Sequence, residues 1–259
     1  MSLFDYLLVA ASAFLAGNLN AIAGGGSFFS FPALLAVGLP PVTANASNAV
    51  ALWPASLSSA FAYRHEVRRS GRQALALMFA ALTGGMLGGL LLLATSNAAF
   101  ARLIPWLLLL ATGLFAFSAE VNRLVKWVQA RLGRQAGAGV LRGPGWLLLQ
   151  LVVAIYGGFF GAGLGILTLA ALSIQGYEDM QELNALKNLC SAVNYSVAAL
   201  TFIVAGAISW PHTLVALLAA TAGGFTGVLL ARRIPTRWLR RAVVIVGSVL
   251  SMVYFVKGG

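Results

Sequence analysis

Apolar residues run in long unbroken stretches, and polar ones gather between them. The stretches are Leu3–Ala23, Thr43–Tyr63, Gln73–Thr95, Leu103–Ala119, Trp146–Phe160, Asn184–Ala205, Thr213–Ala231 and Leu239–Val256. Each approaches or exceeds the ~20 residues that cross ~30 Å of hydrocarbon as a helix. In lipid, backbone polar groups are satisfied only within helices or closed barrels. Continuous rather than alternating apolarity selects helices.

Two stretches are broken by glycine. Gly24-Gly25-Gly26 separates Leu3–Ala23 from a short run, Ser27–Val37, which holds Pro32. Gly157-Gly158 and Gly161-Ala162-Gly163-Leu164-Gly165 interrupt Trp146–Gly176. Glycine loses the most backbone entropy on ordering and tolerates positive φ, so these positions read as helix breaks. The short runs amount to roughly 16–20 Å of helix. Re-entrant half-helices packed inside the protein are expected there, since irregular backbone is tolerated at that depth only when protein covers it.

Charge sets the orientation. Arg64, Arg68, Arg69 and Arg72 form one basic cluster. Arg123, Lys126, Arg131, Arg134 and Arg142 form a second, and Arg232, Arg233, Arg237, Arg240 and Arg241 a third. Together they hold 14 of the 17 basic residues, all between apolar runs, as loops on the cytoplasmic side would. The net charge of +11 therefore does not indicate nucleic acid, for which no soluble basic domain exists.

The halves overlay at a shift of 139 residues. Thr83–Gly88 falls on Ala222–Gly227, Asn45 on Asn184 and Asn48 on Lys187; one residue less aligns Gly25 with Gly163 and Gly38 with Gly176. Each half then reads as a long run, a glycine break, a short run and three more spans. The expected fold is an all-α polytopic membrane protein of two inverted repeats, about five segments each. Residues 1–121 form the first repeat, 122–145 a basic cytoplasmic linker and 146–259 the second. Both chain ends lie outside if the short runs reach across.

Composition agrees. Of 259 residues, 60% are hydrophobic and 9% charged, too little polar surface to coat a water-facing globule. No basic residue precedes Arg64, so the first run is expected to remain as a span. Cys190 is the single cysteine, which excludes an intrachain disulfide and a thiolate metal cluster. There is no Walker motif, no H-E-x-x-H helix and no carboxylate pair within the spans. No enzyme activity, cofactor, metal or nucleic-acid partner is expected; the partners are the bilayer and a small anionic solute.

Paired broken segments in inverted halves point to a solute site near the midplane. A break frees backbone N–H groups, and a helix N-terminus turned into a cavity attracts anions. Candidate residues on one side are Asn20, Gly24, Gly25, Gly26, Ser27, Asn45 and Asn48. On the other they are Gly161, Gly163, Gly165, Asn184, Lys187 and Asn188. For Gly84, Gly85, Gly88, Gly223, Gly224 and Gly227, close helix packing is the preferred reading. Asn184, Lys187, Asn188, Ser191, Asn194 and Tyr195 recur at helical spacing and should turn inward. Lys187 has two readings: a cation facing the solute, or a first-turn lysine that snorkels to the interface or pairs with Glu178, Asp179 or Glu182. His212 is expected at the outer interface.

The order Gly17–Gly38, containing Asn20-Ala21-Ile22-Ala23-Gly24-Gly25-Gly26-Ser27 and Phe31-Pro32-Ala33-Leu34-Leu35-Ala36-Val37-Gly38-Leu39-Pro40, resembles the TauE/SafE family of sulfite exporters. Ala44-Asn45-Ala46-Ser47, the Arg-rich Arg64–Gly71, Gly158–Gly163, Asn184–Asn188 and Gly206 extend the resemblance over nearly the whole chain except the linker. Gln181-Glu182-Leu183 departs from the pattern. The resemblance implies a plasma-membrane protein moving sulfite, sulfoacetate or related organosulfonates. A secondary transporter of a small anion is the expected function. An uncoupled channel-like facilitator and a non-transporting membrane scaffold are the alternatives.

Overall fold

The computed structural model describes residues 2–23, 25–117, 120, 123, 127, 145–175, 177, 179–230 and 236–258. Its helices are α1 (Leu3–Ala23), α2 (Ser27–Ala36), α3 (Pro41–Ala62), α4 (Arg64–Arg69), α5 (Gly71–Ala94), α6 (Asn97–Ala116), α7 (Gly145–Phe159), α8 (Leu164–Ile174), α9 (Met180–Val204), α10 (Trp210–Leu230) and α11 (Thr236–Gly258). Most of the linker, Gly24, Gly176, Glu178 and the basic residues 232 and 233 lie outside the described residues.

Local chemistry explains several boundaries. Pro41 opens α3, where its missing N–H costs nothing and its fixed φ suits the first turn. Ser96 caps α6 by accepting from the Ala99 N–H at 3.2 Å. That cap starts the helix six residues ahead of the apolar run, so Arg102 lies within α6 on its exposed side. Asp179 caps α9, accepting from the Gln181 and Glu182 N–H groups at 3.3 and 3.2 Å. Asp179→Ala should lower stability by about 1 kcal/mol, read as a drop in thermal midpoint in detergent.

The two glycine breaks differ in kind. At the second, Gly161 and Gly163 have φ of 78° and 76°, a left-handed turn that ends α7 and starts α8. At the first, Gly26 is right-handed, with φ −56° and ψ −40°. There the missing side chain matters: a Cβ on Gly25 would stand 2.6 Å from Phe115 Cζ, and one on Gly26 would meet the Ala16 carbonyl. Both short helices exist as separate elements, of 10 and 11 residues.

Tertiary pairing joins the parts of the chain before and after the linker. The most extensive contacts are α1 with α10 and α5 with α7, followed by α9 with α5, α6 with α11, and α3 with α9. Phe14 meets Gly223 and Asn18 meets Gly227, so α1 and α10 run parallel. Gly84 meets Leu151 and Ala154 while Gly88 meets Ile155 and Gly158, so α5 and α7 run parallel too. In both seams glycine brings backbone against backbone, as small residues do between membrane helices. By contrast α3 and α9 run antiparallel. The Trp53 Nε1–H donates to Ser196 Oγ at 2.7 Å, and the Ser209 N–H, just beyond α9, donates to Ser47 Oγ at 3.0 Å.

Apolar side chains cover the perimeter. Phe79 and Leu91 on α5, Trp106 and Leu110 on α6, Leu218 and Phe225 on α10, and Met252 and Val256 on α11 are all exposed, a surface matched to hydrocarbon. Among the described residues, Leu3–Asn20, Gln73–Ala94 and Asn97–Ala116 are both long and apolar enough to cross a membrane. α3 and α9 have the length, at 22 and 25 residues. Their hydropathy is lowered by polar side chains that point into the bundle.

Candidate functional site

Two long helices with polar residues along their buried faces, α3 and α9, face one another. On α3, Asn45, Asn48 and Ser56 are buried on one face; on α9, so are Lys187, Asn194 and Tyr195. A cavity opens along this seam. It is lined by Asn20 of α1, Ser56 and Ser59 of α3, Leu164 and Gly165 of α8, and Lys187, Asn188, Ser191 and Tyr195 of α9. It lies where α1 and α3 end and α9 begins, the end of the bundle that carries the Arg64–Arg69 helix. The space is narrow: the centre of a water molecule fits within about 20 Å³. That is enough for ordered water; an oxyanion enters only when the walls part.

Lys187 dominates the electrostatics. It is 7% exposed and lines the cavity. Among the described residues it has neither a carboxylate nor a hydrogen-bond partner. Two of its three expected counter-charges are committed elsewhere: Asp179 caps α9, and Glu182 accepts from Ser70 Oγ at 3.0 Å. Glu178 is outside the described residues. An isolated buried ammonium is costly unless something negative joins it. Asn20, Asn188 and Ser191 around it supply only neutral dipoles.

The start of α8 adds a backbone donor. The Leu164 N–H bonds to the Gly161 carbonyl at 3.2 Å and the Ile166 N–H to that of Gly163 at 3.0 Å. The Gly165 N–H, between them in sequence, makes no such bond, and Gly165 lines the cavity. Ammonium and helix N-terminus thus converge on one polar space, an arrangement that stabilises negative charge. The left-handed Gly163 holds this geometry. Gly163→Ala should cost about 1–2 kcal/mol of stability through φ strain, measurable by thermal unfolding.

The expected site residues divide into two groups. Asn20, Gly165, Lys187 and Asn188 meet at the cavity. Most of the others serve elsewhere in the bundle. Asn48 donates from Nδ2 to Ser27 Oγ at 3.1 Å and accepts from the Ser30 hydroxyl, so it ties α3 to α2. Asn45 donates to the Phe159 carbonyl at 2.9 Å and ties α3 to the second break. Gly25 and Gly26 pack against Phe115 and α1, and Gly161 packs against Tyr195. Asn184 is half-buried outside the cavity lining and has an interaction of its own. Gly24 is not among the described residues. Ser56 and Ser59 line the cavity without having been singled out; their signal was serine recurring three residues apart within an apolar run. At the opposite end of the bundle, Ser209 Oγ lies 2.7 Å from His212 Nδ1 on a partly exposed surface.

Residues 9–254 match the family model described as sulfite exporter TauE/SafE. A probable membrane transporter protein of Haemophilus influenzae is 27% identical, over 93% of this chain and 91% of its own length. The probable membrane transporter protein YfcA of Escherichia coli K12 is 28% identical, over 92% and 85%. Another, ORF9 of Sinorhizobium sp., is 26% identical, over 96% and 91%. No solved structure matches.

Proposed function

The chain belongs to the TauE/SafE family of membrane transporters, and from that premise we propose that it carries a small anion, sulfite or an organosulfur anion, across the plasma membrane. The observation that carries this reading is Lys187, a buried ammonium without a counter-charge among the described residues, beside the start of α8, where the Gly165 N–H has no backbone partner among the described residues. A cation held this way is matched by a mobile anion, and the matching releases the desolvation penalty only while the solute is bound.

The carrier mechanism is alternating access between two inverted halves. Support comes from the exchange of partners across the linker: α1 lies on α10 as α7 lies on α5, and α3 and α9 cross antiparallel. With the basic loops in the cytoplasm, the cavity faces that side. Its small volume favours a carrier over the channel-like alternative, which needs a continuous water path.

Efflux of labelled sulfite from proteoliposomes tests the proposal. Saturable flux by the native protein and its loss in Lys187→Ala are expected. Equal flux in the two proteins would remove Lys187 from the site; no sulfite or organosulfonate flux in the native protein would remove the solute class.

A further inference from the structure

A second polar group adjoins the cavity, between α2 and α3. Ser27, Ser30 and Asn48 form it, fully buried and joined by their own hydrogen bonds. Tyr195 stands between cavity and cluster. It lines the cavity on one side, and its hydroxyl faces Ser27 on the other. A Cβ on Gly161 would stand 3.3 Å from the same hydroxyl. The phenol oxygen therefore sits between the two glycine breaks, at the start of α2 and at the end of α7. The ring is 6% exposed and belongs to the main apolar cluster. Along α9, Tyr195 is about 12 Å deeper than Lys187.

We infer that Tyr195 is the internal gate of the transport path, closing the Lys187 cavity from the buried Ser27–Asn48–Ser30 cluster. The inference rests on reading the cavity as part of a solute path. A tyrosine suits the position because its ring fills an apolar gap while its hydroxyl satisfies a polar one. Passage requires the ring to swing away from Ser27 and Gly161. The hydroxyl contact sets how often that happens, and the missing side chain at Gly161 leaves room beside it.

Cysteine accessibility in membrane vesicles tests this without reference to any solute. In a Cys190→Ser background, Ser191→Cys reports on the cavity and Ser30→Cys on the buried cluster behind Tyr195. A membrane-impermeant methanethiosulfonate is applied from the side bearing Arg64–Arg69. Ser191→Cys should react at the same rate, set by parting of the cavity walls, whether or not Tyr195 is present, and Ser30→Cys more slowly while Tyr195 is intact. Tyr195→Phe should accelerate Ser30→Cys slightly, and Tyr195→Ala, which empties the gap the ring fills, by about tenfold or more. Unchanged Ser30→Cys rates in both variants would overturn the gate. So would loss of Ser191→Cys reactivity in Tyr195→Ala, since removing a gate leaves the outer cavity standing. A failed gate leaves Lys187-dependent flux untouched, and a failed anion reading leaves the labelling contrast untouched.

Discussion

Lys187→Met should sharply reduce anion flux and at the same time stabilise the protein. The two effects have one cause. The Lys187 side chain is buried, and no carboxylate among the described residues offsets its charge. Methionine has similar length and no charge, so it fills the same volume without the desolvation penalty. Replacing buried ionic groups by well-packed apolar ones gains roughly 1–4 kcal/mol where it succeeds. A hydrogen bond to a charged group contributes about 1.5–3 kcal/mol, so its loss should weaken anion binding by about ten- to a hundredfold. Thermal unfolding in detergent and labelled-sulfite flux, measured on the same preparation, check the pair of effects. A variant that loses flux and stability together would mark Lys187 as a structural residue with a hidden counter-charge. Lys187→Arg keeps the charge in a bulkier fork and should retain part of the flux.

The largest loss of stability is expected on the α1–α10 seam. A Cβ on Gly223 would collide with the Phe14 carbonyl oxygen, and it would lie 2.8 Å from the carbonyl carbon. Both partners are helical backbone, so no rotamer change relieves the contact. The helices must separate, and the packing along their whole shared length weakens with them. Gly223→Val is therefore expected to cost about 3 kcal/mol or more, at or above the usual range for an overpacked core, because backbone rather than side chain must move. Gly88→Val should do the same to α5 and α7, where the Ile155 carbonyl takes the place of Phe14. Gly113 is the control. Nothing stands within 4 Å of a Cβ there, so Gly113→Ala should be neutral or stabilising by up to about 1 kcal/mol through helix propensity. Yield of folded protein and chemical denaturation in detergent distinguish the three. A fully stable Gly223→Val would mean that α1 and α10 are not held at backbone contact.

Much of this was legible along the chain because it is local. Long apolar runs make helices wherever lipid denies water to the backbone. Glycine clusters end those helices because no other residue adopts φ near 76° without strain or leaves room for a crossing carbonyl. A lysine amid apolar residues announces itself by composition alone. The pairing of helices was not legible in the same way. Apolar faces of similar composition do not encode which of them meet, and that α1 lies on α10 rather than on a neighbour in sequence is settled by the fit of glycine surfaces about two hundred residues apart.

The asparagines make the division plain. Asn45, Asn48, Asn184 and Asn188 read alike from the sequence, as polar candidates for one solute site. Tertiary structure separated them: Asn48 and Asn45 became struts between elements, while Asn188 reached the cavity. The sequence by itself determined the helices, the two breaks and the oddity of Lys187. Only the tertiary structure decided that Lys187 lacks a partner among the described residues, that Tyr195 stands between the cavity and the buried cluster, and which amides are spent on holding the bundle together. The reason is that a side chain's periodicity fixes the direction it points, whereas its hydrogen-bond partner comes from whichever distant helix packs against that face.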